Sequence, residues 1–183
     1  MKKIIFINIL FFCLSQSING QNTFFIGQKT YSCTENSILK SSKDFAGYDL
    51  TILIAKNGNA GFFVVSTEVM TPVRIKGNLL IYLDNGELIT CIDKGKYDIV
   101  DDIATTVYYL TSVEIDKLKE NNIQKVRFSL KTTQGKYSSS TEEGSYSATN
   151  FIKEKKFNSS LELEEVSYYK VDFTSLVNEL FNE

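Results

Sequence analysis

Histidine and tryptophan are absent from this 183-residue chain, arginine occurs only at Arg74 and Arg127, and cysteine occurs three times. Each shortage removes chemistry. Without histidine there is no Ser-His-Asp or Cys-His pair, no zinc site of the histidine-containing kinds, and no side chain that ordinarily titrates near neutrality. With one cysteine lying in the N-terminal apolar run, the two that remain, Cys33 and Cys91, are too few for an all-cysteine zinc site. Neither arginine sits in a basic run, and a net charge of −2 offers no electrostatic footprint for a nucleic-acid backbone or an anionic membrane. Hydrolysis by paired carboxylates or by a Ser-Lys pair survives these exclusions, but no local motif signals either one. No catalytic residue, cofactor site or metal site is indicated.

What is present begins with Met1-Lys2-Lys3, the apolar run from Ile4 to Leu14, and the polar exit Ser15-Gln16-Ser17-Ile18-Asn19-Gly20. These are the three regions of a secretory signal peptide, in order. A membrane-spanning helix would need about 20 apolar residues, and this run contains Asn8 and breaks at Ser15. Lipidation at Cys13 is disfavoured because Leu10-Phe11-Phe12 are too bulky for small-residue recognition. The reading is therefore a signal peptide over 1–20, cleavage near Gly20-Gln21, and one exported β-rich domain over 21–183 with no stable membrane insertion. Losing Lys2 and Lys3 turns 20 basic against 22 acidic residues into 18 against 22, a net charge near −4.

Export bears on the cysteines. In an oxidising compartment a Cys33–Cys91 bridge closing a loop of about 60 residues would stabilise by roughly 4 kcal/mol in the chain-entropy model. Two buried free thiols are the alternative, and sequence leaves both open. A catalytic thiol lacks a histidine base.

Thirteen phenylalanines and ten tyrosines favour strands. Leu50, Ile52 and Ile54 alternate along one strand, and residues 61–66 answer them across Asn57-Gly58-Asn59. Residues 78–83 and 87–92 flank Asp84-Asn85-Gly86, a second hairpin. Its strands are apolar on both faces, which places it centrally in a sheet. Residues 103–110 read as strand from their Thr, Val and Tyr content. Thr111 with Glu114 forms a capping box, Leu110 and Ile115 a hydrophobic staple, and Ile115 and Leu118 the apolar stripe of a short helix. Asn121-Asn122 stop it before a strand over 123–130. Behind Asp172 as N-cap, Phe173, Leu176, Val177, Leu180 and Phe181 fall at helical spacing, predicting an amphipathic C-terminal helix docked on the sheet.

Three further stretches invite functional readings. The Ser/Thr-rich segment 132–150 reads foremost as a mobile loop, with protruding strands or a functional flap as alternatives. Asp93, Asp98, Asp101 and Asp102 form an acidic patch whose spacing matches no calcium loop and which reads as a solvated turn. Tyr168-Tyr169 could stack on sugar rings, but with Lys155-Lys156, Glu162, Glu164 and Glu165 nearby they read as part of an amphipathic strand with one buried face.

The leader ending Asn19-Gly20-Gln21, the richness in Lys, Asn, Ile and Ser, and the order Tyr108-Tyr109-Leu110-Thr111, Glu114-Ile115, Leu118-Lys119, Asn122-Ile123, Val126-Arg127-Phe128 resemble small exported proteins of unknown function from Bacteroidetes-type bacteria. The resemblance covers mainly residues 79–130. It implies an envelope location and carries no catalytic residue.

The fold expected is α+β and mainly antiparallel β: a curled sheet or partial barrel with one short internal helix and a C-terminal helix packed on it. The function expected is an exported, non-catalytic binding or interaction module of the bacterial envelope, with a protein or glycan partner and no nucleic acid. The alternative is a carboxylate-dependent hydrolase acting on an envelope or extracellular polymer.

Overall fold

Alternation of apolar and polar residues dictates the architecture. The structure, a computed structural model, describes residues 22–43, 47–133, 140–157 and 163–182, and within 152–166 it describes the backbone alone. The expected signal peptide at 1–20 lies outside the described residues. Strands β1 (Thr23–Ile26) and β2 (Lys29–Ser32) pair as a separate hairpin. Ten strands make the main sheet: β3 (Ser37–Ser41), β4 (Leu50–Asn57), β5 (Ala60–Glu68), β6 (Val73–Ile75), β7 (Leu79–Leu83), β8 (Leu88–Cys91), β9 (Tyr97–Val100), β10 (Ile103–Leu110), β11 (Ile123–Thr132) and β12 (Gly144–Thr149). Strands β13 (Ile152–Phe157) and β14 (Leu163–Tyr169) form a third, two-stranded unit. The helices are α1 (Ser112–Glu120) and α2 (Phe173–Asn182).

The main sheet runs β8-β7-β11-β12-β3-β4-β5-β10-β9, with β6 beside β7 on the same edge of β11, and every pairing is antiparallel. It curls into a half-barrel, as the sequence predicts. Inside the curl, Leu50, Ile52 and Ile54 of β4, Phe63 and Val65 of β5, and Val126, Phe128 and Leu130 of β11 are all buried. Ile123 and Val126 both face inward although they are three positions apart, and a bulge between Ile123 and Lys125 restores the alternation.

The curl is closed by side chains rather than by a ladder. Thr106 and Tyr108, two residues apart on the inner face of β10, donate hydrogen bonds of 2.9 Å each to the carbonyls of Ile75 and Gly77, also two residues apart. The spacing matches because alternate residues on a strand share a direction. Beside this seam the Arg74 guanidinium stacks 4.1 Å from the Tyr97 ring centre and lies 3.8 Å from the Asp93 carboxylate. Asp93 in turn accepts from the Gly77 and Gly95 amides. Burial, followed by the nearby Asp93 and Cys91 charges, pushes the Tyr108 phenol well above its ordinary range despite Arg74, so the hydroxyl keeps its proton and remains a donor.

The first expected hairpin forms with a tighter connection, since Asn57 pairs with Ala60 and only Gly58-Asn59 form the loop. The second closes at Gly86, whose φ of +88° is open to glycine at no steric cost. Its position overturns the central placement expected for it: β8 is a terminal strand and Leu88 is 45% exposed. The outer face of β7 is partly covered by a neighbouring side chain instead of a second layer, with the Lys125 ammonium 4.6 Å from the Tyr82 ring centre. The long stem of a lysine can cover apolar surface while its head stays in water.

The capping box forms as read. Glu114 N–H donates to the Thr111 hydroxyl at 3.4 Å, Thr111 N–H donates to the Glu114 carboxylate at 2.7 Å, and the staple residues Leu110 and Ile115 are buried. Thr111→Ala should lower stability by about 1 kcal/mol in chemical denaturation, the usual cost of a lost N-cap. Asp172 caps α2, accepting from the Ser175 amide at 3.0 Å. Helix α2 buries Phe173, Val177 and Leu180 and lies mainly along α1, where Asn178 donates to the carbonyl of Lys119 at 2.9 Å. Gly61 permits the close approach of the helices to β5: a Cβ there would stand 2.9 Å from the Ala55 carbonyl oxygen and 3.1 Å from Ile115 Cδ1. Among the described residues no helix is long and apolar enough to cross a membrane.

The reading of 132–150 as a mobile loop is corrected over its second half. Residues 144–149 are β12, an inner strand paired to β11 and, at Ala148 and Thr149, to β3. Its composition hides it, because only Ala148 is fully buried and its neighbours are Ser, Tyr and Thr. Residues 134–139 lie outside the described residues.

Candidate functional site

Pairing register carries side chains of five strands into line on the outer face of the sheet. Ile38 lies opposite Thr51, Thr51 opposite Ser66, Ser66 opposite Thr105, and Thr105 opposite Asp98. Because directly opposed residues share a face, these five form one row across β3, β4, β5, β10 and β9. The adjoining row is Glu68, Ile103 and Val100. The hydroxyls of Ser66 and Thr105 are 2.9 Å apart and hydrogen-bonded, while Ile38, Ile103 and Val100 are 46%, 46% and 58% exposed.

The β1–β2 hairpin covers part of this face. Tyr31 meets Phe62 edge-on at 5.0 Å, Phe62 meets Tyr109 at 5.7 Å, and Cys33 bridges to Ala55. The remainder forms a trough of two adjoining parts that share Asp101 and Ile103 in their lining. One part, about 710 Å³, has Ile38, Thr51, Ser66 and Ile103 in its lining, with Tyr48 and Met70. The other, about 600 Å³, runs between Phe24 and Phe25 of the hairpin and the outer residues Val100, Thr105 and Val107. Both volumes fall in the range of ordinary ligand sites. Carboxylates outnumber bases along the lining, with Asp49, Asp98, Glu68 and Asp101 set against Lys96. Asp49 is bound to Lys40 at 2.7 Å, whereas Glu68 and Asp101 have no ion-pair partner among the described residues.

A buried carboxylate shapes one end of the trough. Glu142 is 6% exposed and accepts from the Tyr48 hydroxyl at 2.6 Å, the Met70 amide at 3.0 Å and the Thr71 hydroxyl. Thr71 has a single hydroxyl proton and gives it to the carboxylate, so the 2.6 Å bond between Thr71 and Ser140 is donated by Ser140. The Tyr146 hydroxyl donates to the Glu142 carbonyl at 2.9 Å, and its ring meets Tyr48 edge-on at 4.7 Å. Burial works against the charge on Glu142, but the donors from Met70, Thr71 and Tyr48 outweigh it and hold the carboxyl below its ordinary value of 4.5. The opposite holds for Tyr48, which burial and then the bond to Glu142 push well above the usual phenol range. Glu142 is thus a fixed anion that orients Tyr48 and Met70. A general acid for hydrolysis needs the reverse, a carboxyl raised toward neutrality.

The edge beside the trough is partly masked. The bond from Val107 N–H to the Lys96 carbonyl directs residues 96, 98 and 100 toward β10, leaving the main-chain groups of Tyr97 and Ile99 facing outward. The Asp98 carboxylate occupies the Ile99 amide at 2.9 Å. A short edge strand with a side chain on its free donor resists strand addition.

The residues singled out from sequence scatter. Asp98 and Asp101 line the trough, Asp93 belongs to the seam, and Asp101 and Asp102 form the two-residue turn between β9 and β10, with φ of +50° and +62°. Among the described residues no three potential ligand side chains gather in a group that could hold a metal. Cys33 and Cys91 are both free and buried, on separate parts of the fold: Cys33 against β4, Cys91 at the end of β8 in the core. Burial, followed by the charge of Glu114, pushes the Cys91 thiol up to about 12, and burial raises Cys33 as well, so neither offers a reactive thiolate near neutrality. Tyr168 and Tyr169 do not bury a face as read; they are 54% and 50% exposed, and Tyr168 stacks on Phe151 at 5.2 Å. The side chains of Lys155, Lys156, Glu162, Glu164 and Glu165 lie outside the described residues.

Glu142 and the row Ile38–Thr51–Ser66–Thr105 escape sequence reasoning. The one signal for the row is Thr51, which interrupts the otherwise apolar start of β4, Leu50 to Ala55. No family model, no curated protein and no solved structure matches the chain.

Proposed function

We propose that this protein is an exported, non-catalytic binding module of the bacterial envelope whose ligand seat is the outer-face trough. The observation that carries the reading is that the two parts adjoin on one face of the sheet, with Ile103 and Asp101 in the lining of both. Together they leave Phe25, Ile38, Met70, Val100 and Ile103 open to solvent. A contiguous apolar surface with a polar rim marks an interaction site more often than it marks idle surface. The hydroxyl row suits orienting a ligand rather than attacking one, since the Ser66 and Thr105 hydroxyls bond to each other and the Asp98 carboxylate opposite Thr105 accepts from the Ile99 amide. Export itself rests on the leader reading, and the acidic balance of the mature chain suits a soluble partner rather than an anionic bilayer.

Binding of a neutral apolar probe tests the seat. Titrating the isotopically labelled full chain with Nile red should produce saturable amide shifts at Thr51, Ser66, Val100, Ile103 and Thr105, and Ile103→Glu should abolish them. Shifts confined to other surfaces, or an unaltered response in the Ile103→Glu protein, would overturn the assignment.

A further inference from the structure

Resting on the trough as the ligand seat, we infer that its occupant is an extended polypeptide segment carrying both basic and apolar side chains. Two features of the lining select this chemistry. Around Ile103, in the part lined by Ile38 and Met70, the open apolar groups are aliphatic, and Val100 adds another beside them, which suits aliphatic or aromatic side chains; the exposed ring of Phe25 lines the other part. Sugar faces, by contrast, are recognised chiefly by exposed aromatic rings. The one ring in the lining of the Ile38 part, Tyr48, is held edge-on against Tyr146 with its hydroxyl committed to Glu142, so it presents no free platform there.

Charge supplies the second selection. Glu68 flanks Ile103 in its own row and Asp101 belongs to the turn that joins the two parts of the trough, so uncompensated carboxylates border the central apolar residue. Asp98 ends the hydroxyl row, and Lys96 is the lone base of the lining. A basic side chain lying over Ile103 would place its apolar stem on that residue and its charge on Glu68 or Asp101, using both parts of an amphipathic side chain. An acidic segment would meet like-charge repulsion. Binding to the face of the sheet is favoured over its β9 edge, where Asp98 occupies the outward amide of Ile99.

The test uses three fluorescein-labelled peptides on the full chain: alternating lysine and valine, alternating glutamate and valine, and alternating serine and valine. The lysine peptide should bind most tightly. Its affinity should fall by about tenfold in a Glu68→Gln, Asp101→Asn protein, and it should weaken as ionic strength rises. Asparagine keeps the turn at position 101 because it accepts a positive φ, and a circular dichroism spectrum identical to that of the parent confirms the fold. Equal binding of the glutamate peptide, or unchanged affinity in the double variant, overturns the inference, as does binding of a neutral glycan such as chitohexaose at the same amides with no binding of the lysine peptide. If Nile red still shifts the outer-face amides while no peptide binds, the peptide inference falls and the seat stands; if Nile red fails too, both fall.

Discussion

Replacing Glu142 with alanine is expected to cost about 3–5 kcal/mol of stability, measured by urea denaturation. The loss is large because the Met70 amide and the hydroxyls of Tyr48 and Thr71 all point at a carboxylate that is 6% exposed, and stranded buried donors each forfeit their desolvation cost. Glu142→Gln should cost less, about 1–2 kcal/mol: Tyr48 and Thr71 donate to different carboxylate oxygens, so only the hydroxyl facing the amide nitrogen must turn to accept, while the remaining oxygen keeps the other hydroxyl and the Met70 bond. The two substitutions also separate in their pH dependence. The folded carboxyl titrates below its ordinary 4.5, so the unfolded chain binds the proton first. The contribution of Glu142 is complete above that ordinary value and disappears as the pH falls from it through the folded value. Glu142→Gln removes this linkage, so the difference between parent and variant should shrink as the solution is acidified. A constant difference across that range would show that Glu142 is not held as an anion.

Thr106→Val combined with Tyr108→Phe should destabilise by about 2–4 kcal/mol, with most of the effect from Thr106→Val. Valine keeps the shape of threonine, but the Ile75 carbonyl then has no donor at a position where Ile75 and Thr106 are both fully buried. Tyr108→Phe removes the partner of the Gly77 carbonyl, whose residue is exposed and can turn to water, so it costs less alone. Because both bonds close one seam, the double variant should depart from the sum of the singles. Additive effects in denaturation would mean that the two bonds act separately.

The elements legible in the sequence are those that local chemistry decides. The capping box at Thr111 and Glu114 sits within one helical turn, and the alternation Leu50, Ile52, Ile54 needs only a buried face to be read. Strand order is a different kind of information. The run 79–83 looks central because it is apolar throughout, yet a lysine on β11 shields its outer face and β8 ends the sheet. Glu142 was invisible for a related reason. Its immediate neighbours are those of a polar loop, and its partners Tyr48, Met70 and Thr71 are supplied by distant segments. The outer row depends on four registers at once, and a shift of one residue in any of them would turn part of it inward. Tyr168 and Tyr169 carry a β-like pattern, but neither position is buried in the fold.

The hairpin of β1 and β2 has a thermodynamic consequence for whatever the trough holds. Two strands of four residues each are marginal as an independent unit, and this pair is fastened to the sheet chiefly through Tyr31 on Phe62 and the bridge from Cys33 to Ala55. It therefore peels away at a smaller free energy than the strands beneath it, and its amides should exchange with solvent well before those of β4, β5 and β10. Since Phe24 and Phe25 wall one part of the trough, that local opening widens the site without unfolding the protein. The lifetime of a bound segment would then follow the breathing of eight residues rather than the stability of the whole.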